Sequence, residues 1–247
     1  MKIIASIEAR MGSTRLPGKT MRPILGRPML EWMIERVKQA KLVDEIVIAT
    51  SVNKLDDPLE TLAEKLGVGI FRGSEEDVLD RVLRAAKAYN ADHIVELWGD
   101  TPLIDPDVID QAVAYYINNK YDCVGTCLDK TFPWGISLLV FSTAVLDEVS
   151  SLTNDPVDRD NVSTYIYHHP EVYKIGHLPC PPVIKRPELR LVVDEITDFE
   201  LITKIFEHFD GNKPNFRTKD IIDFLDNNPE LLHINKHVKQ KVVVKNE

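Results

Sequence analysis

Residues 10–20 read RMGSTRLPGKT, directly after the apolar run KIIASIEA at 2–9. A glycine-containing loop that follows a strand and ends in Gly-Lys-Thr invites comparison with the P-loop, G-x-x-x-x-G-K-[ST]. The count fails. From Gly12 the second glycine belongs at position 17, where Pro17 stands, and it arrives one place late as Gly18. A P-loop also hands its Lys-Thr to a helix whose N-terminus faces the phosphates. Here Pro23 and Pro28 follow, and the missing proline N–H with the pre-proline restriction forbids a helix from Lys19 through Pro23. Unless a single short turn at Lys19 does the work of that helix, the next helix starts near Pro28, a residue suited to the first helical position.

The loop is nonetheless built for an anion. Gly12 and Gly18 allow close backbone approach, Ser13 and Thr14 bring hydroxyls and N–H groups, and Arg15 and Lys19 bring charge. Between Ala9 and Leu30 stand five basic residues (Arg10, Arg15, Lys19, Arg22, Arg27) and no acidic one, whereas the other 25 basic residues face 39 acidic ones. One concentrated positive segment in an acidic chain reads as a local anion site.

The chain has 247 residues and a formal net charge of −9, which argues against general binding to nucleic acid or anionic membrane. No apolar run approaches the roughly 18–20 residues of a membrane span. The N-terminus enters a strand without the pattern of a secretory leader, so the expected location is the cytosol. Cys123 and Cys127 in CVGTC are three residues apart with no further ligand near them, and they read as core residues rather than a metal or redox pair.

Strands and helices alternate through the first half: strand 2–9, helix 28–41, strand 44–51, helix 58–67, strand 68–73, a helix over 75–90 capped by Ser74, and strand 92–100. This pattern predicts a mostly parallel sheet covered by helices on both faces, an α/β/α arrangement. The second half predicts helix 106–119, strand-like stretches at 121–127 and 135–142, helix 143–152, a loop at 153–160 and a helix at 161–169. Strands at 172–178 and 189–193 and helices 197–209 and 218–228 follow, and 235–247 reads as an exposed tail or late edge strand. One domain over 1–247 is expected, with 120–170 as an acceptor-binding or dimerisation sub-region.

Ligands of such sheets bind beyond the C-terminal strand ends. The strand ending LWGDTPLIDP places Asp100 at that rim, and LRLVVDEITD places Asp194 in an equivalent position. Two carboxylates beside a phosphate site suit Mg²⁺, which takes one or two carboxylates together with phosphate oxygens and water. Asp105 and Asp107 are the better cap candidates near Asp100, while Thr197 and Asp198 compete with Asp194 for a capping role.

ARMGSTRLPGK, FRGSEEDVLDRVLRAAKAYNADHIVEL, GD and PLIDP, DRDNVSTYI and VVDEITDFELI together resemble the CMP-sugar synthetases (acylneuraminate and 3-deoxy-octulosonate cytidylyltransferases), and are most similar to the SpsF-type branch. The resemblance spans roughly residues 1–205. It implies a GT-A-like nucleotidyltransferase fold, CTP as donor, a Mg²⁺ requirement, a sugar-like acceptor and a homodimer. By position it implies that Ala9, Arg10, Gly12, Ser13, Thr14, Arg15 and Lys19 hold the nucleotide's phosphates, with Arg15, Lys19 and Asp100 catalytic. Asp100 and Asp194 would hold metal, and Arg72, Gly73, Asp77 and Arg81 would border base or ribose. Arg159 and Asn161 would lie near the acceptor; Trp134 in FPWGIS, read from the residues alone, lines an acceptor pocket or a dimer contact, or packs in the core. WGDTP stands where the sugar-acid synthetases have QGDEP, so Trp98 takes a Gln position and Thr101 a Glu position, and DEITD lacks the proline of DTPED. The competing readings are a GT-A glycosyltransferase using a nucleotide sugar, and transfer from another nucleoside triphosphate. The first conflicts with the missing Asp-x-Asp motif at residues 99–102 and with the long basic loop.

Overall fold

The computed structural model describes residues 1–210 and 215–240. Nine strands and nine α-helices are seen among these. β1 (Ile3–Glu8), β4 (Glu45–Ser51), β5 (Gly69–Gly73) and β6 (His93–Trp98) are the parallel heart of a seven-stranded sheet of order β5-β4-β1-β6-β8-β7-β9. β8 (Leu139–Ser142) runs antiparallel to β6 and to β7 (Cys123–Gly125), and β9 (Ile175–His177) runs parallel to β7. β2 (Pro23–Ile24) and β3 (Arg27–Pro28) form a separate two-residue hairpin.

The period of two along β1 explains the layers. Ile3, Ala5 and Ile7 enter one apolar cluster with Met29, Met33 and Val37 of α1 (Met29–Val37), Ile109 and Val113 of α4 (Pro106–Asn119), and α8 (Ile196–Phe209). Ile4 enters the opposite cluster with Leu79, Val82 and Ala86 of α3 (Val78–Ala88) and Leu146 of α5 (Thr143–Leu152). Both sheet faces are thus covered, as the near-continuous apolar strands require.

Chain order puts the switch point between β1 and β6: from β1 the sheet grows outward through β4 to β5, then the chain returns to β6 on the other side. The loops after β1 and β6 leave from neighbouring strand ends and bound a crevice. Arg36 of α1 fixes the second of these loops. Its buried guanidinium donates to the carbonyls of Leu103, Ile104 and Phe216 and lies over the Phe216 ring, 4.2 Å from its centroid. Burial lowers its pKa to about 10, so it stays cationic at neutral pH.

Several boundaries differ from the sequence reading. The α3 cap is Asp77, whose carboxylate accepts from Asp80 N–H at 2.9 Å, while Ser74 accepts from Asp77 N–H one turn earlier. The expected loop at 153–160 contains a helix, α6 (Pro156–Asp160), because Asp155 caps it at 2.7 Å and Pro156 occupies its first turn; α7 (Thr164–His168) follows. Residues 189–193 are not a sheet strand. They are extended, and they join the rest through Trp134 N–H to Leu189 O (2.9 Å), Leu191 N–H to Trp134 O (2.6 Å) and Val193 N–H to Asp100 O (2.8 Å). Of the closing stretch, 235–240 is turn and coil with Asn235 buried, and 241–247 lies outside the described residues. α2 (Asp57–Leu66) and α9 (Thr218–Asn227) complete the helices.

The Trp134–Arg190 bridge depends on Gly135. Its φ is +100°, and a Cβ there would sit 2.5 Å from the Leu191 carbonyl carbon and oxygen. Gly135→Ala must therefore strain the turn and push away the segment that carries Asp194. We expect a loss of about 2–4 kcal/mol in urea denaturation; a variant within about 0.5 kcal/mol of the parent would contradict this account.

Candidate active site

The crevice is a cleft of about 270 Å³ whose lining includes Glu8, Ala9, Arg10, Ser13, Thr14, Arg15, Lys19, Arg81, Trp98, Asp100, Asp160 and Asp194. Its lower lip is the loop after β1, which is anchored rather than free. Met11 N–H donates to the buried Asp56 carboxylate at 2.7 Å, Gly18 N–H returns to Met11 O at 3.0 Å, and the Leu16 side chain is buried. Gly18, at φ +68°, then opens one 3₁₀ turn over Lys19–Met21. This single turn stands where a P-loop would start a long helix, and it is what aims Lys19 across the cleft.

Three distant parts of the chain meet at the Lys19 ammonium. It donates to Asp100 Oδ2 at 2.8 Å, to Val193 O at 2.7 Å and to Asp194 Oδ1 at 3.3 Å. Arg15 Nη2 lies 2.7 Å from the same Asp194 Oδ1. On the far side Arg190 Nη2 holds Asp194 Oδ2 at 2.7 Å. Burial by itself would raise the Asp194 pKa, but Lys19, Arg190 and Arg15 together outweigh it and hold this carboxyl below its ordinary range.

Among the described residues no group of three or more His, Cys, Asp or Glu side chains is gathered for a metal. A Mg²⁺ site made partly of phosphate needs fewer protein donors. Here two carboxylate oxygens already converge on one cation-sized position, filled by the lysine ammonium. The donor set, hard and anionic, fits that ion.

A second acidic pair lies behind the cleft. Ser6 pairs with Glu96, and Glu8 with Trp98, across the β1–β6 register, so these side chains share the face covered by α3. Burial, then the neighbouring Glu96 carboxyl, raise the Glu8 pKa well above the usual carboxylate range, and Arg81 only partly reverses this. Burial also pushes Glu96 up to about 7, against hydrogen bonds from Ser163 and Glu8. Glu8 Oε1, Glu96 Oε2 and Arg81 Nε have no hydrogen-bond partner.

The remaining sequence candidates divide. Arg10, Ser13, Thr14, Arg15, Lys19, Arg81, Asp100 and Asp194 face one cleft, together with Ala9. Gly12 sits in the same loop beside Glu75. Arg72 is turned away, its guanidinium held by the Ser51 and Asn53 carbonyls and by Asp57 and Glu60. Gly73 is packed against Arg81. Asp77 caps α3 and takes a fork from Arg159, whose Nε lies 2.9 and 3.0 Å from the two oxygens. Asn161 donates back to Val157 O in its own helix. Trp134 lies in a separate small hollow with Phe132 and Ser137. The cleft residues that sequence reading did not select as site residues are Glu8, Thr20, Val78, Trp98, Gly99 and Asp160. Glu8 carried a signal, being a charged residue that interrupts an apolar parallel strand.

A parallel α/β sheet with a basic loop at its switch point and two carboxylates opposite is the arrangement of a nucleotidyltransferase. A family model described as cytidylyltransferase matches residues 4–236, and the chain belongs to that family. It is 41 % identical over 241 residues to an uncharacterized protein, MJ1063, of Methanocaldococcus jannaschii, covering 98 % of this chain and 97 % of that one. It is 34 % identical over 233 residues to the spore coat polysaccharide biosynthesis protein SpsF of Bacillus subtilis, covering 92 % and 95 %. A cytidylyltransferase from Leptospira borgpetersenii superposes with a TM-score of 0.89 at 34 % identity, over 94 % of this chain and 97 % of that one. A CMP:2-keto-3-deoxy-manno-octonic acid synthetase complexed with CTP shares the fold, with a TM-score of 0.61 at 18 % identity over 84 % and 99 %.

The acidic pair predicts a pH dependence. Both carboxyls are raised in the folded state, and for Glu96 the folded protein holds a proton that the unfolded chain has lost between about pH 4.5 and 7. The Glu96 contribution is full below that window and declines as pH rises through it. Glu96→Gln removes the titrating group. Relative to the parent, this variant should gain on the order of 1–3 kcal/mol between pH 5 and pH 8 in chemical denaturation. An equal difference at both pH values would refute the assignment.

Proposed function

We propose that this enzyme uses CTP to transfer CMP to a hydroxyl of a sugar or related small acceptor, releasing pyrophosphate, in glycan or cell-surface polysaccharide synthesis. The observation that carries the reading is the meeting of Lys19 with Asp100 and Asp194 at the mouth of the basic loop. Family membership supports the donor, and the relation to SpsF supports the polysaccharide context.

In this account the acceptor oxygen attacks the α-phosphorus in line, and the protein must hold geometry and neutralise charge on the leaving β- and γ-phosphates. Arg10, Ser13, Thr14, Arg15 and Lys19, with the backbone at Ala9 and Gly12, serve the phosphates. Arg15 and Lys19 are already poised on carboxylates, so an incoming triphosphate competes with Asp100 and Asp194 for both cations. Asp100 and Asp194 would hold Mg²⁺, which when bound would supply positive charge against the charge developing on the phosphates. Of the 72–81 segment Val78 and Arg81 line the cleft, and Arg81 serves the base or ribose, with Arg72, Gly73 and Asp77 shaping the wall behind it. Arg159 and Asn161 order the α6–α7 segment beside the acceptor through Asp77 and Val157, and Trp134 supports the same 120–170 wall.

The reading also takes the enzyme to be a cytosolic homodimer. The three cysteines are free, which suits a reducing compartment, and Leu152 and Val172 are exposed apolar residues in or beside the 120–170 region. Among the described residues no helix is long and apolar enough to cross a membrane.

Asp100→Asn should lower pyrophosphate release by about a hundredfold or more while the protein stays folded. A folded variant with near-parental turnover would refute the metal assignment. Lys19→Ala should weaken CTP binding by about tenfold, about 1.4 kcal/mol, and CMP binding far less, as read by calorimetry. Equal losses for both nucleotides would show that Lys19 does not serve the β- and γ-phosphates.

A further inference from the structure

We infer that Arg190 is a positioning residue for Asp194, and that the chain beyond α9 holds Arg190 in place. The inference rests on the reading of Asp194 as a ligand of the catalytic metal.

Asp194 has two carboxylate oxygens with separate surroundings. Oδ1 faces the cleft, 2.7 Å from Arg15 and 3.3 Å from Lys19. Oδ2 is held from behind by Arg190 Nη2 at 2.7 Å. With Oδ2 occupied by a guanidinium that has nowhere else to go, Asp194 offers the cleft a single oxygen in a fixed direction. A free aspartate would rotate about its χ angles and alternate between one and two oxygens toward a cation, and a planar five-donor fork is suited to prevent this.

Arg190 is itself immobilised. Its Nε and Nη2 straddle Asp198 at 2.9 and 3.1 Å, and Asp198 is fully buried. Asp198 also accepts from the backbone N–H groups of Asp194 and Glu195, each at 3.0 Å. The same carboxylate therefore fixes the backbone of Asp194 directly and its side chain through Arg190. The third layer comes from residues beyond α9. Asn235 Nδ2 donates to Arg190 O at 3.1 Å and to Asp198 Oδ1 at 2.9 Å, and Gln240 accepts from Arg190 Nη1. Sequence reading leaves this stretch as an exposed tail or a late edge strand, but its buried Asn235 closes the support shell of the site. Shells that orient ligands in this way commonly govern metal affinity by one to two orders of magnitude.

The test titrates Mn²⁺ by electron paramagnetic resonance into the full chain saturated with the non-transferable analogue cytidine 5′-(α,β-methylene)triphosphate. Arg190→Met should raise the Mn²⁺ dissociation constant about tenfold or more. The affinity for the analogue measured without metal should change less than about threefold. Arg190→Lys, which reaches one partner at a time, should fall between parent and Arg190→Met. Asn235→Ala, milder for folding, should raise the constant about threefold, and it carries the test if Arg190→Met does not fold. A folded Arg190→Met, or Asn235→Ala in its stead, that binds Mn²⁺ like the parent overturns the inference alone. A parent protein that binds the analogue but no Mn²⁺ overturns the metal reading, and the inference with it.

Discussion

The Lys19 ammonium binds together parts of the chain that are 81 and 175 residues apart, and the rest of the cleft depends on that clasp. An ammonium shared among two carboxylates and a carbonyl is a stable arrangement only if each partner is delivered by a rigid element. The Gly18-led 3₁₀ turn delivers the lysine, the loop after β6 delivers Asp100, and the extended segment tied to Trp134 delivers Asp194. The switch point between β1 and β6 is what makes the three deliveries converge.

The clasp also balances charge. Five basic residues lie in one short stretch of an acidic chain, and unpaired they would repel one another. Asp100 and Asp194 neutralise Lys19 and Arg15, while Arg190 offsets Asp194 from behind. The cleft is therefore preorganised for a polyanion yet held together without one. Behind it, burial raises both carboxyls of the Glu8–Glu96 pair, which lessens the negative charge they carry beside the basic loop.

Much of this was legible in the sequence. Alternating apolar runs specified the parallel sheet, and the rim rule placed the β1 loop and Asp100 together, because strand ends are readable from periodicity; Asp194 reaches the same cleft although the segment before it is not a sheet strand. What was not legible depends on pairings across the fold. Arg159 is an exposed-looking cation until Asp77, 82 residues away, is brought beside it. The α6 helix is too short for periodicity and rests on the Asp155 cap and Pro156. Asp198 looks like a helix N-cap, but the cap is Glu195 and Asp198 is its capping-box partner inside the first turn, and its buried fork with Arg190 appears only when residues 189–198 fold back on themselves. Residues 189–193 look like a strand by composition, yet β6 already has β1 and β8 as neighbours, so this segment joins by bridges alone.

The central claim, transfer at the α-phosphorus with the β- and γ-phosphates held by the basic loop, is tested most directly with CTP labelled at different phosphates. The protein, Mg²⁺ and a panel of sugar acids and sugar phosphates would be incubated with α-³²P-CTP and, separately, γ-³²P-CTP. The α-label is expected to move into a new acceptor-linked product while the γ-label appears only in pyrophosphate. Release of γ-label as inorganic phosphate, with the α-label left in CDP, would contradict it.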